Sequence, residues 1–298
     1  MRWNRWVGFA ALCILSGTSW VIPREMPDGL PALELQSLLF GVIGLGAFVL
    51  TVRGVRFRAG ALVYTKLAAA GVSFFGVPLV VVEYARRSVA ENSRSSLFAM
   101  MPIVVVLAVA AGDAAGSEER GARRFLVPAL VGVGGLLLLL PMQLSRSVGG
   151  WAMLAIVCVA VILAGLASVW LYRLLGRVVF ADAVAVIGFS NAVFLFGWSV
   201  AHEDVVWRWS GLASAISISS VADVTELLLI LWLMREMTPI RFASRYLVIP
   251  LLTILESYVL IRPEWTVRMG AGTILLAAGA GTLLFLRLAE EDTVLSLQ

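Results

Sequence analysis

Apolar blocks of roughly 20 residues recur along the whole chain, and they constrain its fold more than any other feature. Such a block is long enough for a helix to cross the ~30 Å hydrocarbon core of a bilayer. The 298 residues are 60% hydrophobic and 14% charged, with a mean hydropathy of +0.95, whereas a soluble domain is about 25% charged. The chain is therefore predicted to be an all-α polytopic membrane protein.

Hydropathy predicts ten transmembrane helices, separated by charge clusters rather than by long loops. They are predicted at about 6–23, 33–52, 60–82, 91–111, 124–141, 149–171, 180–200, 210–233, 240–261 and 266–288. A transmembrane barrel is disfavoured, because its strands alternate apolar and polar residues and a run such as Leu136 to Leu140 does not.

The basic residues indicate the orientation. With the N-terminus in the cytoplasm, thirteen arginines lie at the inner ends of the predicted spans and eight at the outer ends. We expect both termini to be cytoplasmic, in a bacterial inner membrane. A cleaved signal peptide ending near Ser16 to Ser19 is the alternative for the first span. The net charge of +4 is explained by arginines near anionic headgroups, so the expected partner is the lipid bilayer and not a nucleic acid.

The sequence repeats itself at a nearly constant offset. Pro102 to Leu107 (PIVVVL) recurs as Pro250 to Leu255 (PLLTIL), 148 residues later, and Trp20 has an echo in Trp170, 150 residues later. These matches predict two five-helix repeats, 1–146 and 147–298. Because five is odd, the second repeat must be inverted in the membrane. Inverted repeats around a central cavity are typical of secondary transporters.

The order of several motifs resembles a known family. In the first half the order is Gly17-Thr-Ser-Trp20, Pro102, Glu118 with Glu119 before Gly121, and Gly132, Gly134 and Gly135; in the second half it is Pro250, Glu264, Thr266 and Gly270-Ala-Gly272. This order is similar to that of EamA-type members of the drug/metabolite transporter superfamily, and the resemblance covers essentially the whole chain.

The resemblance implies a ten-helix carrier for a small metabolite, often an exporter of amino acids or related compounds, without ATP hydrolysis or a cofactor. Two departures leave the substrate class open. Gln36 and Ser37 stand where the family usually has an arginine, and Pro263-Glu264 replaces a Gly-Glu pair.

Charges inside predicted spans are candidates for function, because they are costly in a bilayer. Asp223 and Glu226 are spaced i, i+3 near the middle of the eighth span, so they share one helix face. Two such carboxylates suit proton coupling or a substrate cation. An ion pair with Lys66 or Arg245 explains them equally well, and Lys66 itself can snorkel to the cytoplasm.

A second group of polar residues is predicted to bind substrate. Two stretches, 91–96 and 239–246, are related by the 148-residue offset and would approach one cavity from opposite sides. Their guanidinium groups can fork onto a carboxylate. The predicted substrate-binding residues are Trp20, Asn92, Arg94, Ser95, Trp170, Arg245 and Tyr246. For the tryptophans, anchoring at the membrane interface is the alternative.

Prolines and glycines are predicted to shape the spans. Pro102 and Pro250 each remove a helical hydrogen bond and can kink the helix, as a gate or as passive packing. Gly132, Gly134, Gly279 and Gly281 are expected to allow close helix approach.

Enzymatic alternatives find little support in the sequence. His202 is the sole histidine, which excludes paired-histidine metal sites. Cys13 and Cys158 both fall inside predicted helices, so no disulfide or metal site is expected. We therefore expect no catalytic residues and no cofactor. A membrane-embedded enzyme and a lipid-handling protein remain the alternatives to a carrier, and the oligomeric state stays open.

Overall fold

The computed structural model describes residues 2–18, 32–54, 59–113, 121–143, 147–202, 218–262, 264 and 266–286, and over these ranges it contains helices and turns and no strand. The helices are α1 (Arg2–Gly17), α2 (Ala32–Gly54), α3 (Ala61–Gly71), α4 (Val77–Ala85), α5 (Glu91–Phe98), α6 (Met101–Asp113), α7 (Leu126–Leu139), α8 (Val148–Leu175), α9 (Phe180–His202), α10 (Ile218–Glu236), α11 (Pro239–Ala243), α12 (Arg245–Leu260) and α13 (Val267–Phe285).

Within the described ranges, eight helical stretches are long and apolar enough to cross a membrane. They are Ala32–Thr51, Ala61–Ala85, Glu91–Gly112, Ala122–Leu139, Val148–Leu175, Phe180–His202, Pro239–Leu260 and Val267–Phe285. The predicted helical membrane fold is thereby confirmed. Of the two other helices, α1 has 16 residues, and α10 carries the charges of Asp223, Glu226, Arg235 and Glu236.

The chain divides into two compact units. Unit 1 comprises Met1–Tyr84 and Trp170–Glu236, and unit 2 comprises Ala85–Val169 and Met237–Gln298. Each unit therefore combines helices from both halves of the sequence. The predicted repeats, 1–146 and 147–298, describe sequence equivalence, whereas these units are defined by packing.

In unit 1, α2 and α9 cross at two glycines. A Cβ on Gly188 would lie 2.6 Å from Gly44 Cα, and one on Gly44 would lie 2.9 Å from the backbone nitrogen of Phe189. Neither position has room for a side chain. Small residues at such contacts let backbones approach closely where burial of apolar surface gives no driving force.

In unit 2, α7 and α13 pack in the same way. A Cβ on Gly279 would lie 2.4 Å from Gly132 Cα, and one on Gly135 would lie 2.7 Å from the carbonyl oxygen of Gly272. The predicted close approach is confirmed for Gly132 and Gly279. It is wrong for Gly134 and Gly281, where an added Cβ would meet no described residue within 4 Å, because a two-residue step on a helix turns the position to the other side.

The span Ala61–Ala85 is interrupted by a π-helical turn, Val72–Gly76. There the N–H of Val77 bonds to the carbonyl of Val72, five residues earlier. Pro78 follows at once. Because proline lacks an N–H and its ring crowds the carbonyl four residues before it, the wider turn accommodates Pro78 without ending the helix. Such π-turns are often found at functional sites.

The two predicted kink prolines occupy different positions. Pro250 lies inside α12, as predicted. Pro102 is the second residue of α6, and the break between α5 and α6 falls at Ala99 and Met100. Pro102 thus lies within the span Glu91–Gly112, as predicted, beside an interruption of its helix, and its role as a gate stays a prediction. In a first helical turn the missing N–H breaks no intrahelical bond, so this proline starts a helix.

Candidate functional site

Four ionisable side chains are buried among the described residues. Unit 1 buries Glu34 and Asp182, at 1% and 0% exposure, and unit 2 buries Arg241 and Arg245, at 8% and 5%. Withdrawing a charge from water is costly unless other groups compensate for it. The predicted substrate-binding residues include Arg245, Arg241 lies in the predicted stretch 239–246, and the two acids were not predicted.

Arg245 is held by aromatic rings. Its guanidinium carbon lies 4.3 Å from the ring centroid of Phe242 and 4.7 Å from that of Tyr246. Nη2 donates a hydrogen bond of 2.9 Å to the Tyr246 hydroxyl. Cation–π contacts of this length stabilise a desolvated cation, and they fix the plane of the guanidinium. Arg245 and Tyr246, which were both predicted to bind substrate, are therefore joined by a hydrogen bond in which the guanidinium is the donor.

Arg241 lies one helical turn before Arg245, where the helix is interrupted. The helix breaks at Ser244, between α11 and α12, and the Ser244 hydroxyl donates to the carbonyl of Arg241 at 2.6 Å. The i, i+4 spacing puts the two arginines on the same side of the chain. Both are buried, which concentrates positive charge at the start of the span Pro239–Leu260.

The polar start of α5 has a structural explanation in two serines. Ser93 Oγ donates to the carbonyl of Gln143 at 3.0 Å and accepts from its N–H at 2.8 Å, while Ser96 Oγ donates to the carbonyl of Leu140 at 3.1 Å. Both serines are fully buried. They satisfy backbone groups that follow the end of α7 and cannot bond within a helix.

The predicted substrate-binding residues of α5 lie beside these serines. Asn92 and Ser95 are exposed, and Arg94 is partly buried. Sequence reasoning selected these three and passed over Ser93 and Ser96, because polarity alone does not tell which face of a short helix packs against a neighbour.

The predicted carboxylate pair lies on α10. Glu226 Oε1 accepts a hydrogen bond of 2.6 Å from the hydroxyl of Ser16 on α1. Asp223, one turn earlier, is partly buried. Lys66 is exposed near the start of α3, as snorkelling would require.

The two predicted tryptophans carry less information. Trp20 lies outside the described residues. Trp170, near the end of α8, is 58% exposed. An exposed tryptophan on a spanning helix fits the interfacial-anchor interpretation at least as well as substrate contact.

Two buried polar side chains on α9 were missed as principal site residues. Asp182 Oδ2 accepts a 3.1 Å hydrogen bond from the Tyr64 hydroxyl, and Oδ1 has no partner among the described residues. Asn191 Nδ2 donates to the carbonyl of Ile187, while its Oδ1 faces Gly76 of the π-turn. Asp182 comes two residues after the predicted start of its span, where a residue at the membrane edge is expected. A charged residue inside a predicted span was the feature of the sequence that could have identified it.

Comparison with known proteins adds information on the fold. No family model matches the chain, and no curated protein matches it either. Several solved structures are similar, and one of them, a crystal structure of a protein, superposes with a TM-score of 0.71 over 95% of this chain and 98% of that chain, at 17% sequence identity. At that identity the likeness establishes a shared fold and no activity.

Proposed function

We propose that this protein is a secondary transporter, which moves a small metabolite across a bacterial inner membrane by alternating access. In this proposal ten spans form two inverted five-helix repeats, both termini are cytoplasmic, and the cargo is an amino acid or a related amphiphilic compound that is exported. The resemblance to EamA-type drug/metabolite transporters is the source of the cargo class.

The directions of packed helices support ten crossings. α7 and α13 run antiparallel, because Gly132 meets Gly279 and Gly135 meets Leu276. Consecutive spans cross the membrane in alternating directions. Two spans are therefore antiparallel only when their positions in the order of spans differ by an odd number. Between α7 and α13 that number is odd only if α10 also crosses, which supports α10 as a span despite its charges.

α1 is supported as a span by the same reasoning. Gly8 packs under the ring of Trp232, and Ser16 bonds to Glu226. Residue numbers rise along α1 as they fall along α10, so this pair is antiparallel too. A crossing α1 makes the count ten.

The observation that carries the proposal is the pairing of α7 with α13. Gly132 and Gly279 contact each other across this pair, and they stand 147 residues apart, which matches the 148-residue sequence offset. In an inverted repeat, equivalent helices that meet at the pseudo-two-fold axis are antiparallel and contact each other at equivalent residues. That architecture is typical of secondary transporters.

The chemistry of the buried residues suits such a carrier. The clamped guanidinium of Arg245 can bind a carboxylate, while Arg94, Asn92, Ser95, Trp20 and Trp170 remain proposed substrate contacts. Asp223, Glu226 and Lys66 remain proposed for coupling or cavity charge. Pro102 and Pro250 border or lie within the spans that would move.

A proteoliposome screen tests the proposal. Purified protein is reconstituted, and uptake of labelled amino acids is measured with and without a pH gradient, for the wild type and for Asp223→Asn. We expect at least one amino acid to accumulate against its gradient, and Asp223→Asn to weaken that dependence on pH. Protein-free liposomes are the control. If no amino acid moves under any gradient, the cargo class is wrong, and scrambling of labelled lipid would favour the lipid-handling alternative.

A further inference from the structure

Asp182 is the most completely buried acid among the described residues, and one of its carboxylate oxygens accepts no hydrogen bond from them. Its side chain is at 0% exposure. Among the described residues its carboxylate has one hydrogen bond, from Tyr64, and this bond engages Oδ2. The oxygen Oδ1 is shielded from solvent and accepts no hydrogen bond from the part of the protein that the structure describes.

The position of Asp182 in its helix explains its presence only in part. Asp182 is the third residue of α9, where the positive end of the helix dipole stabilises a carboxylate. A dipole supplies no hydrogen bond to Oδ1. A buried anionic oxygen without a donor carries a large desolvation cost, and a cation bound at that oxygen removes it.

Among the side chains that the structure describes, no charged residue of a neighbouring element bonds to Asp182. Tyr64 is the ionisable side chain that contacts it. The other charged residues on helices packed against α9, so far as the structure describes their side chains, are Glu34 on α2, Lys66 on α3, Glu83 on α4, and Asp223, Glu226, Arg235 and Glu236 on α10, and none of them bonds to it. Lys66, Arg235 and Glu236 are exposed.

The contact of Asp182 with Tyr64 belongs to a longer interface between two spans. Along the span Ala61–Ala85, Tyr64 meets Asp182, Gly71 meets Ile187 and Gly76 meets Asn191. The same span contains the π-turn Val72–Gly76. Asp182 therefore contacts the start of the span Ala61–Ala85, and the π-turn of that span begins eight residues after Tyr64.

We propose that Asp182, with Tyr64, binds a coupling cation at Oδ1, a proton or an alkali-metal ion, in addition to the charges proposed at Asp223 and Glu226. The cation neutralises the carboxylate and weakens its acceptance of the Tyr64 hydrogen bond, which loosens α3 from α9. Binding at Asp182 stands on the geometry, whereas its role in transport rests on the proposed function.

Infrared difference spectroscopy of the full-length protein in lipid nanodiscs tests the binding. One arm changes the pH at constant salt, and the other exchanges choline for sodium at constant pH. We expect a carboxyl difference signal in one arm, absent in Asp182→Asn, shifted in Tyr64→Phe and retained in Glu236→Gln, a control at an exposed acid. A pH signal identifies the proton, and a sodium signal identifies the metal ion.

Two results overturn the inference. One is a set of difference spectra in which Asp182→Asn matches the wild type in both arms. The other, decisive if Asp182→Asn does not fold, is a Tyr64→Phe spectrum identical to that of the wild type, since this variant keeps the acid and removes its hydrogen bond.

Transport measurements separate this inference from the proposed function. With an amino acid found in the uptake screen, we expect Asp182→Asn to keep exchange of labelled for unlabelled cargo and to lose at least tenfold in gradient-driven accumulation. Retention of accumulation would overturn the coupling role. If the wild type moves no amino acid while the Asp182 signal persists, the transport proposal fails and the cation site stands.

Discussion

The two units share one mode of helix packing, but the buried charged side chains that the structure describes are negative in unit 1 and positive in unit 2. Unit 1 crosses α2 with α9 at Gly44 and Gly188, and unit 2 crosses α7 with α13 at Gly132 and Gly279. The buried ionisable residues are acids in unit 1, Glu34 and Asp182, and arginines in unit 2, Arg241 and Arg245. Shared helix packing therefore coexists with independent placement of charge.

The difference teaches which charges helix structure explains. Glu34 and Asp182 are each the third residue of a helix, where the helix dipole favours an acid. Arg241 is also a third residue, in α11, where the dipole disfavours a cation. Secondary structure thus accounts for part of the acids of unit 1 and not for the arginines of unit 2, of which Arg245 is held by the rings of Phe242 and Tyr246.

The strongest test of the shared packing adds one methyl group. We expect Gly279→Ala to destabilise the protein by about 3 kcal/mol, because its Cβ meets backbone that cannot yield without separating the helices. Gly281→Ala, with nothing within 4 Å, is the matched control and should change stability by less than about 0.5 kcal/mol. Thermal unfolding in detergent measures both.

The same substitution in the other unit extends this test. Gly188→Ala should cost about as much as Gly279→Ala, since its Cβ meets Gly44 Cα at 2.6 Å. A stable Gly188→Ala beside an unstable Gly279→Ala would break the likeness between the units.

The second prediction concerns the polar start of α5 in unit 2. We expect Ser93→Ala to destabilise the protein by about 2 kcal/mol, because it removes two hydrogen bonds between the buried Ser93 hydroxyl and the backbone of Gln143 at about 1 kcal/mol each. Ser95→Ala, at an exposed position two residues on, should be neutral in the same unfolding assay. If Ser95→Ala instead impairs transport without loss of stability, Ser95 contacts substrate as the sequence predicted.

The sequence contained most of the fold and little of the site. Apolar runs depend on composition over 20 residues, so span positions were predicted closely, as for 149–171 against Val148–Leu175. Which face of a span is buried depends on its neighbours, and composition is silent on that. This is why Gly132 could not be distinguished from Gly134, or Ser93 from Ser95.

The buried charged residues also show that burial cannot be predicted from the position of a residue in a predicted span. Asp223 and Glu226 were selected because they lie at the centre of a predicted span, and both are only partly buried. Asp182 and Arg241 lie near helix starts, where sequence reasoning expects solvent, and both are buried. Depth in a predicted span is therefore a poor guide to burial when helix starts pack inside a unit.

The third prediction tests whether the arginines of unit 2 serve an anion. We expect Arg245→Lys to raise the KM for an amino-acid cargo about tenfold, which corresponds to about 1.4 kcal/mol, because lysine keeps the charge and loses the planar fork and the ring stacking. Arg123→Lys, at an exposed position, should leave KM unchanged. An equal KM for the cargo and its carboxamide would show that no carboxylate is recognised.

The smallest effect expected is at the contact between α1 and α10 in unit 1. Ser16→Ala removes the 2.6 Å hydrogen bond to Glu226 and should cost about 1 kcal/mol, whereas Ser190→Ala, whose hydroxyl bonds to the Ile187 carbonyl of its own helix, should cost less. Glu226→Gln keeps an acceptor for Ser16 and should therefore unfold close to the wild type. If Glu226→Gln is instead as unstable as Ser16→Ala, the charge of Glu226 itself contributes to folding, and the acids of unit 1 are structural rather than functional.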